Sequence, residues 1–325
     1  MSTIVEAMQL FDATATREAL PFDRLIAALR AMFASGCEQP PRHVHELATD
    51  GGRLTSLIMP AWTPGRYYGV KIINVAPGNA ARGLPGLHAS YLLHDAATGV
   101  PLALIDGNVL TARRTAAASA LAASWLARAD ASHLLVVGAG RIARLLPDAY
   151  RAVRPIGRVS VWARSTGQAE AFAADLRVQG IAADAVPDLE AAVGCADIVS
   201  CATLATAPLI RGRWLRAGSH LDLIGSFAPT MREADDDCLS GAAIYVDGDE
   251  ALHKSGDLIE PLRHGVFHAA DVRGTLTTLS CGEAAGRRSN DERTVFKSVG
   301  NALEDLAAAI EVFERPRASS GRPGA

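Results

Sequence analysis

Hydrophobic runs alternate with amphipathic stretches from about residue 133 onwards. TGQAEAFAADLRV has the spacing of an amphipathic helix and follows one of a series of short apolar runs. The runs that predict strands are HLLVVGAG, RVSVWAR, DIVSCAT, HLDLIGS and AIYVDGDE. Strands that alternate with helices are typical of a parallel, doubly wound sheet. We therefore predict an α/β domain of this kind over residues 131–290.

The chain before this domain has a different pattern. Residues 16–34 carry apolar side chains at helical spacing, and LTARRTAAASALAASWLARA predicts an alanine-rich helix. Between them, short β-rich runs broken by Gly and Pro predict strands. These runs are LTSLIMPAW, YYGVKIINV, HASYLLHD and ATGVPLALIDGN. Residues 1–130 are therefore predicted to form a separate α+β domain.

One more helix is predicted for DERTVFKSVGNALEDLAAAIEVFE, in which Asn301, Glu304 and Asp305 stand among apolar positions. We expect this helix to return to the N-terminal domain, so that residues 1–130 and 291–316 form one unit around the inserted α/β domain. Residues 317–325 are rich in Arg, Ser, Gly and Pro, which predicts a disordered tail.

The composition fits a globular protein of two domains, because the chain has 325 residues of which 49% are hydrophobic and 21% charged. A net charge of −3 and an isoelectric point of about 6.3 indicate neither a nucleic-acid partner nor an anionic membrane. The five cysteines include no CxxC pair, which favours reduced thiols and a cytoplasmic location. No signal peptide is expected, and no apolar run approaches the ~18 residues of a membrane span.

A glycine-rich turn follows the first strand of the α/β domain. The residues of this turn are Gly138, Ala139, Gly140, Arg141, Ile142 and Ala143. Gly138 suits a tight turn, Gly140 lets the backbone approach a pyrophosphate, and Ala143 is small enough for helix–strand contact. Glycine-rich turns without a ligand are common, but a strand before the turn and a helix after it favour dinucleotide binding.

The end of the second strand carries no acidic residue. Units that bind NAD place an Asp or Glu there, which accepts a hydrogen bond from the ribose 2′-hydroxyl. Here the chain has Arg164, Ser165 and Thr166, and a guanidinium with two hydroxyls suits a 2′-phosphate. The sequence favours NADPH over NADH, unless Arg164 makes only local contacts. Thr203 and Gly225, which follow later strands, complete the expected cofactor contacts together with the turn.

Three separated cations in the N-terminal domain are candidates for binding a small carboxylate. Lys71 lies within an apolar strand, where a buried ammonium needs a partner or loses its proton. A lysine that extends to solvent from an edge strand explains the same pattern equally well. Arg113 and Arg114 are predicted at the start of the alanine-rich helix, where a bound anion would offset their unfavourable position. Arg42 follows a Pro-Pro turn.

Several segments together resemble the ornithine cyclodeaminase/mu-crystallin family over nearly the whole chain. In order, they are MPAW, YYGVKIINV, IDGNVLTARRTAA, VVGAGRIA and RTVFKSVGNALEDLAAA. The resemblance implies a Rossmann-type domain inserted into a substrate domain, with two substrate domains forming a homodimer contact. It implies that Lys71 faces the substrate and that Arg42 and Arg114 hold the substrate carboxylate. Ser298 matches a family position near the nicotinamide.

One segment departs from the cyclodeaminase pattern. Cyclodeaminases and related alanine dehydrogenases carry an Asp in a G-x-D-x-P-G-K type segment after the fifth strand. Phe227 stands at that position here, and Thr230-Met231 replaces Gly-Lys. A phenylalanine cannot act as a general base, so direct deamination of ornithine is not expected. The segment IGSFAPTMREADD resembles instead the branch of the family that reduces cyclic imino acids.

The preferred hypothesis is reduction of a cyclic imino acid by NADPH, with NADH as the alternative donor, to L-proline or L-pipecolate. Phe227 is expected to form an apolar wall of the substrate site, and His88 is the histidine expected nearest to it. No metal is predicted, because the histidines lack ligand spacing. The alternatives are a cyclodeaminase with tightly held NAD, a dehydrogenase or N-alkyl reductase of acyclic amino acids, and a non-catalytic protein that binds NADPH.

Overall fold

The chain folds around two β-sheets. The computed structural model describes residues 8–49 and 52–315, so the tail predicted over residues 317–325 lies outside the described residues. The first sheet and its helices comprise β1 (Gln9–Phe11), α1 (Ala13–Ala19), α2 (Phe22–Ser35), β2 (His43–Thr49), β3 (Gly52–Thr63), β4 (Tyr67–Val75), β5 (Leu87–Asp95), β6 (Pro101–Asp106) and α3 (Gly107–Leu126).

The second part begins with β7 and ends with a helix that packs on the first part. Its elements are β7 (His133–Val137), α4 (Leu146–Arg151), β8 (Arg158–Trp162), α5 (Thr166–Val178), β9 (Ala182–Ala185), α6 (Leu189–Cys195), β10 (Ile198–Cys201), β11 (His220–Leu223), β12 (Ala243–Val246), α7 (Ala251–Lys254), α8 (Gly256–Arg263), β13 (Val272–Thr275), α9 (Leu276–Ser280), β14 (Thr294–Lys297) and α10 (Ala302–Glu314).

The first sheet has six strands in the order β1-β6-β5-β4-β3-β2, and α3 and α10 pack against one of its faces. Lys71 of β4 lies opposite Met59 of β3 and Tyr91 of β5, and all three side chains are buried. The next residue, Ile72, is 38% exposed. Because successive side chains of a strand point to opposite faces, Lys71 belongs to the covered face of this sheet and Ile72 to its outer face.

The second sheet has eight parallel strands in the order β13-β12-β14-β11-β10-β7-β8-β9. This confirms the predicted α/β domain with a parallel, Rossmann-type sheet. β7 is followed by β8 on one side and flanked by β10 on the other, so the strand order reverses there. In such sheets, ligands bind in the crevice at the carboxyl ends of the strands, which here carry the glycine-rich turn.

The helix predicted to begin after residue 290 is wrong in its first part. Thr294–Lys297 forms β14, which lies between β12 and β11 inside the parallel sheet and is buried throughout. The sheet therefore extends beyond the domain limit predicted at residue 290. α10 begins at Ala302, where the side chain of the N-cap Asn301 accepts a hydrogen bond of 3.1 Å from the amide of Glu304.

Two other predicted helices also differ in their limits. The helix predicted over residues 16–34 is split into α1 and α2, because Pro21 disfavours a helical conformation at Leu20. α3 begins at Gly107, capped by Asp106. Arg113 and Arg114 therefore lie in the second turn of α3, and the expectation that they oppose the dipole at its start is wrong.

α10 returns the chain to the first sheet, as predicted. It packs against α2 and α3 and against β3 and β4. Its buried side chains include Leu303, Leu306 and Val312, but Glu304 and Asp305 are buried as well. Two buried acids need cationic partners, and these come from β4 and α3. Within residues 8–49 and 52–315, no helix is both long and apolar enough to cross a membrane.

Candidate active site

The glycine-rich turn passes close to the chain that leaves β10. Gly138 has a φ of +122°, and a Cβ atom there would lie 2.6 Å from the carbonyl oxygen of Ala202. Both the backbone conformation and the close approach require glycine. Gly140 has open space at its Cβ position instead. The turn borders a cavity of about 500 Å³ that also reaches the end of β8 and the loop after β10.

The segment after the turn does not start as an α-helix. Ala143–Leu145 forms a 3₁₀ turn, and α4 runs only from Leu146 to Arg151. Pro147 has no N–H to donate to the carbonyl of Ala143, so a regular helix cannot form over this turn. The prediction of a helix opening directly at the turn is wrong. Arg141 is exposed, and it does not line the cavity formed by the described residues.

The end of β8 supplies the side chains suited to the adenosine half of a dinucleotide. Arg164 and Ser165 line the cavity with Gln168, and the described lining residues include no Asp or Glu. Arg164 is exposed and has no ion pair with another residue of the described chain. The Ser165 side chain caps α5 by accepting from the Gln168 amide at 3.4 Å. Thr166 is the exposed first residue of α5.

The buried carboxylate of Glu233 binds Thr203, which lines another part of the cavity wall. One oxygen of Glu233 accepts hydrogen bonds from the amide and the hydroxyl of Thr203, at 2.7 and 2.8 Å. The other oxygen accepts from the amide of Gly225 at 2.6 Å. Thr203 follows β10 and Gly225 follows β11, so Glu233 fixes the spacing of these two loops. Burial raises the pKa of Glu233 to about 7.

A second cluster lies between the first sheet and α10. The ammonium of Lys71 forms an ion pair with Asp305, and both side chains are fully buried. The Arg114 guanidinium pairs with Asp305 through Nε at 2.9 Å and with Glu304 through Nη1 at 2.6 Å. Two cations from β4 and α3 are thus fixed by two acids of α10. Lys71 is not an edge-strand lysine that reaches solvent, since its side chain is enclosed.

Arg113 has no place in this cluster. Its Nε donates to the carbonyl oxygen of Leu20 at 2.7 Å, and its guanidinium lies 4.2 Å from the ring centroid of Phe22. Arg113 therefore joins α3 to the break between α1 and α2. Of the two adjacent arginines, Arg114 is the one beside Lys71.

Gly300 connects the cationic cluster to an open cavity. Its carbonyl oxygen accepts from Arg42 Nη2 at 3.2 Å, and its amide donates to Asp247 Oδ2 at 2.6 Å. A Cβ atom on Gly300 would overlap Nη1 of Arg114 and lie 2.8 Å from its Nη2. Arg42, Asp247 and Gly300 line a cavity of about 210 Å³. Two arginines therefore reach one glycine from different sides, next to a space that fits a small ring.

The buried groups of this cluster have shifted pKa values. Burial lowers the pKa of Lys71 to about 8, although the charge of Asp305 opposes this effect. Burial raises the pKa of Glu304 to about 7 against the attraction of Arg114. Burial disfavours the charged form of Arg114 too, but Asp305 and Glu304 together raise its pKa above the usual value. Below about pH 7, where Glu304 takes up a proton, the cluster has spare positive charge for a carboxylate ligand.

Comparisons with known proteins identify the family to which a chain with this arrangement belongs. The family model described as the ornithine cyclodeaminase/mu-crystallin family matches residues 6–320. The chain belongs to this family. A Delta(1)-pyrroline-2-carboxylate reductase of Paracoccus denitrificans is 48% identical over 259 residues, which cover 78% of this chain and 81% of that protein.

Solved structures in the same family agree in fold. The Delta(1)-pyrroline-2-carboxylate reductase of Thermococcus litoralis, in complex with NADH and L-proline, superposes with a TM-score of 0.88 at 32% identity and covers 94% of this chain and 97% of its own. An archaeal alanine dehydrogenase dimer with bound NAD gives a TM-score of 0.86 at 31% identity, covering 94% and 95%.

Of the residues predicted to bind the substrate, only Arg42 lines a cavity within the described chain. Lys71 and Arg114 lie in the buried cluster beside it. His88 is exposed and lies opposite Asn74, on the outer face of the first sheet, because it is an odd number of residues from Tyr91. Its expected position near the substrate site is therefore wrong. Phe227 is 55% exposed on the loop after β11 and lines neither cavity within the described chain. Ser298 is buried directly after β14.

The acidic residues at the two sites were not among the predicted site residues. The sequence indicated three separated cations as candidates, but Glu304 and Asp305 pair with both of the buried ones, Lys71 and Arg114. The signal was visible, since both acids interrupt an apolar helix pattern. Glu233 gave no such signal, because it stands in a polar loop segment.

Proposed function

We propose that the protein reduces cyclic imino acids, converting Δ1-pyrroline-2-carboxylate to L-proline and Δ1-piperideine-2-carboxylate to L-pipecolate with NADPH in preference to NADH. The observation that carries the proposal is the convergence of Arg42 and Arg114 on Gly300, beside a cavity of about 210 Å³. Two relatives support the proposal. The Paracoccus protein is named a Delta(1)-pyrroline-2-carboxylate reductase, and the Thermococcus reductase structure contains NADH and L-proline.

The chain's own residues bind and orient the substrate in this proposal. Arg42 and Arg114 hold the carboxylate, since each retains N–H donors that its protein partners do not use. Lys71, which shares Asp305 with Arg114, adds a positive charge to the same cluster. The apolar side chains of Phe33, Met59 and Val299 line the same cavity, limit the access of water to the reacting carbon and strengthen these interactions. The nicotinamide, when bound, supplies the hydride for C2 of the imine.

NADPH preference is the finer part of the proposal. Arg164 is free of ion pairs with the described residues and borders the cofactor cavity, whose described lining holds no acid. A 2′-phosphate would give Arg164 a charge-assisted partner. Glu233 fixes the loops after β10 and β11 at the carboxyl edge of the sheet, where residues of these loops would hold the nicotinamide half of the cofactor.

A homodimer is also part of the proposal. Half-buried and exposed apolar side chains follow the outer face of the first sheet in adjacent strands. They are Ile58, Trp62, Val70, Ile72, Leu92 and Leu104. An open sheet face of this composition needs cover, and a second copy of the same face provides it with closed symmetry. The five free cysteines fit a reducing, cytoplasmic location.

The test follows absorbance at 340 nm with purified protein. The arms are Δ1-pyrroline-2-carboxylate with NADPH, the same imine with NADH, Δ1-piperideine-2-carboxylate with NADPH, pyruvate plus ammonium with NADPH, and L-ornithine plus NAD with proline detection. We expect rapid oxidation of NADPH with the cyclic imines only. Proline from ornithine would identify a cyclodeaminase. Turnover only with pyruvate and ammonium would identify an acyclic amino-acid dehydrogenase, and silence in every arm would refute an enzymatic role.

A further inference from the structure

Asp247, directly after β12, has one oxygen bound and one free. Its Oδ2 accepts from the amides of Val299 and Gly300 at 2.7 and 2.6 Å. Its Oδ1 is buried and has no hydrogen-bond partner among the described residues. The side chain is 2% exposed and lines the cavity that contains Arg42. A buried carboxylate oxygen without a donor is costly when charged, so this oxygen favours a proton.

The groups around Asp247 come from three packed elements. Lys297 of β14 and Arg114 of α3 favour its charged form, whereas Glu304 of α10 opposes it. Lys297 already has a carboxylate 3.4 Å away in Asp257, which reduces its effect. At the cavity mouth, Arg42 has Glu250 at 3.6 Å. Burial outweighs the favourable contacts and raises the pKa of Asp247.

The role of Asp247 follows from its position beside the residues proposed to hold the substrate carboxylate. In a cyclic 2-imino acid, the ring nitrogen is bonded to the carbon that carries the carboxylate. A group that reaches this nitrogen must therefore lie beside the cations that hold the carboxylate. Asp247 binds the amide of Gly300, and Arg42 and Arg114 contact the same residue. No other acid that lines this cavity in the described chain is buried, since Asp249 and Glu250 are exposed.

We infer that Asp247 is the acid that delivers the proton to the ring nitrogen during reduction, an inference that rests on the proposed function. Hydride from NADPH forms the new C–H bond at C2, and the π electrons of the C=N bond move onto nitrogen. The nitrogen takes the proton from Asp247 Oδ1, which leaves a carboxylate, an amine and NADP⁺. Water then returns a proton to Asp247. Glu304 is a positioning residue here, because its Oε2 is bound to Arg114 and its negative charge, present above its pKa of about 7, keeps the Asp247 proton in place.

The test compares Asp247→Asn with Asp197→Asn across a pH series. Asp197 is a matched control, because it is 7% exposed and its Oδ2 also accepts two backbone amides, at 2.9 Å each, but at the amino end of β10. In the wild type, we expect kcat to fall as pH rises and the acid loses its proton. We expect Asp247→Asn to lower kcat about 100-fold or more and to remove this decline. NADPH affinity, from nicotinamide fluorescence, stays unchanged, and Asp197→Asn keeps the wild-type pH profile.

The substrate imine has its own ionisation, which gives a second source for the decline. A decline that persists in Asp247→Asn with the same midpoint belongs to the substrate and overturns the inference, as does an unchanged kcat. If Asp247→Asn does not fold, Glu304→Gln decides: loss of its charge lowers the pKa of Asp247, so the midpoint moves to lower pH, and an unmoved midpoint overturns the inference. Wild-type protein that does not reduce the imine refutes the proposed function itself, which is a distinct result.

Discussion

The guanidinium of Arg114 lies against the Cα of Gly300, with no space between them for a methyl group. Gly300 also has a φ of +73°, which disfavours any other residue. One glycine therefore sets the position of the arginine proposed to bind the substrate carboxylate. It also fixes Asp247 and Arg42 through its amide and carbonyl groups.

Gly300→Ala is expected to displace Arg114 and lower kcat/KM for the imine by about 100-fold, because catalysis depends on sub-ångström positioning. Gly265→Ala is the matched control. Gly265 has a φ of +70° but open space at its Cβ position, so it carries the backbone strain of about 1–2 kcal/mol without the clash. Steady-state kinetics and urea unfolding of both variants separate the two effects. Equal activity in the two variants would contradict the proposed role of Gly300.

Arg164→Ala is expected to lower kcat/KM for NADPH by about 10-fold or more and to leave the value for NADH nearly unchanged, since hydrogen bonds to charged groups contribute about 1.5–3 kcal/mol. Arg158→Ala provides the control. Arg158 is the first residue of β8, the strand that Arg164 follows, and Asp184 is 3.6 Å away from it. Both cofactors are titrated with a fixed imine concentration. An equal loss with NADPH and NADH would show that Arg164 does not recognise the 2′-phosphate.

The binding of a carboxylate ligand is expected to weaken above about pH 8. The pKa of Lys71 is lowered to about 8, chiefly by burial, so its positive charge is present below this pH and is lost as pH rises through it. The inhibition constant of pyrrole-2-carboxylate, whose own charge stays constant over this range, measures the effect. Above about pH 7, where Glu304 has lost its proton, the inhibition constant should rise with pH in the wild type and be high and nearly flat in Lys71→Met. A flat profile in the wild type would exclude titration of Lys71 in the free enzyme.

The α/β domain depends on a buried carboxylate away from both cavities. Asp222 accepts hydrogen bonds from Ser119 at 3.1 Å, Tyr150 at 2.8 Å and Ser200 at 2.5 Å. Asp222→Asn replaces one acceptor by a donor, and we expect a loss of about 2 kcal/mol or more in the free energy of unfolding. Asp184→Asn, at an exposed position on β9, should cost much less.

Asp222→Asn is also expected to change how the free energy of unfolding depends on pH. Burial raises the pKa of Asp222 from 3.8 to about 6 in the folded state, so the folded protein binds more protons than the unfolded chain between these pH values. Its contribution to stability is therefore greatest below pH 3.8 and declines as pH rises to about 6. Urea unfolding at several pH values should show this decline in the wild type and not in Asp222→Asn. Identical slopes would contradict the assignment.

Ile72→Asp is expected to convert the proposed homodimer to monomers, because it puts a charge at the centre of the outer face of the first sheet. Val178→Asp is the control, since Val178 is 89% exposed at the end of α5 in the other domain. Light scattering coupled to size-exclusion chromatography gives the mass. A dimer that survives Ile72→Asp would place the interface elsewhere.

Local pattern was sufficient for most of the fold. Alternating runs predicted the parallel sheet, and the turn at Gly138 marked its ligand-binding edge. It failed where one pattern merged with the next: TVFK was assigned to the following helix, although its four residues form a strand between two others. A short buried run has no period of its own that separates it from a helix.

The candidate site could be predicted only in part, since its contacts join distant segments. Arg114 was preferred to Arg113 on the family resemblance, and the structure gives the physical difference in their partners. The whole α/β domain lies between Lys71 and Asp305 in the sequence, so their pairing has no local signature. His88 was misplaced for a simpler reason, because strand register decides the face and a difference of one residue reverses it.

The return of α10 to the first sheet has a consequence for how the protein is made. Residues 302–314 complete a core begun by residues 22–35, so the first sheet stays open until the whole α/β domain has been synthesised. Contacts of such sequence separation make folding slow, and a nascent chain that lacks α10 has Lys71 and Arg114 without their acids. We expect partial chains to engage chaperones through this unfinished sheet.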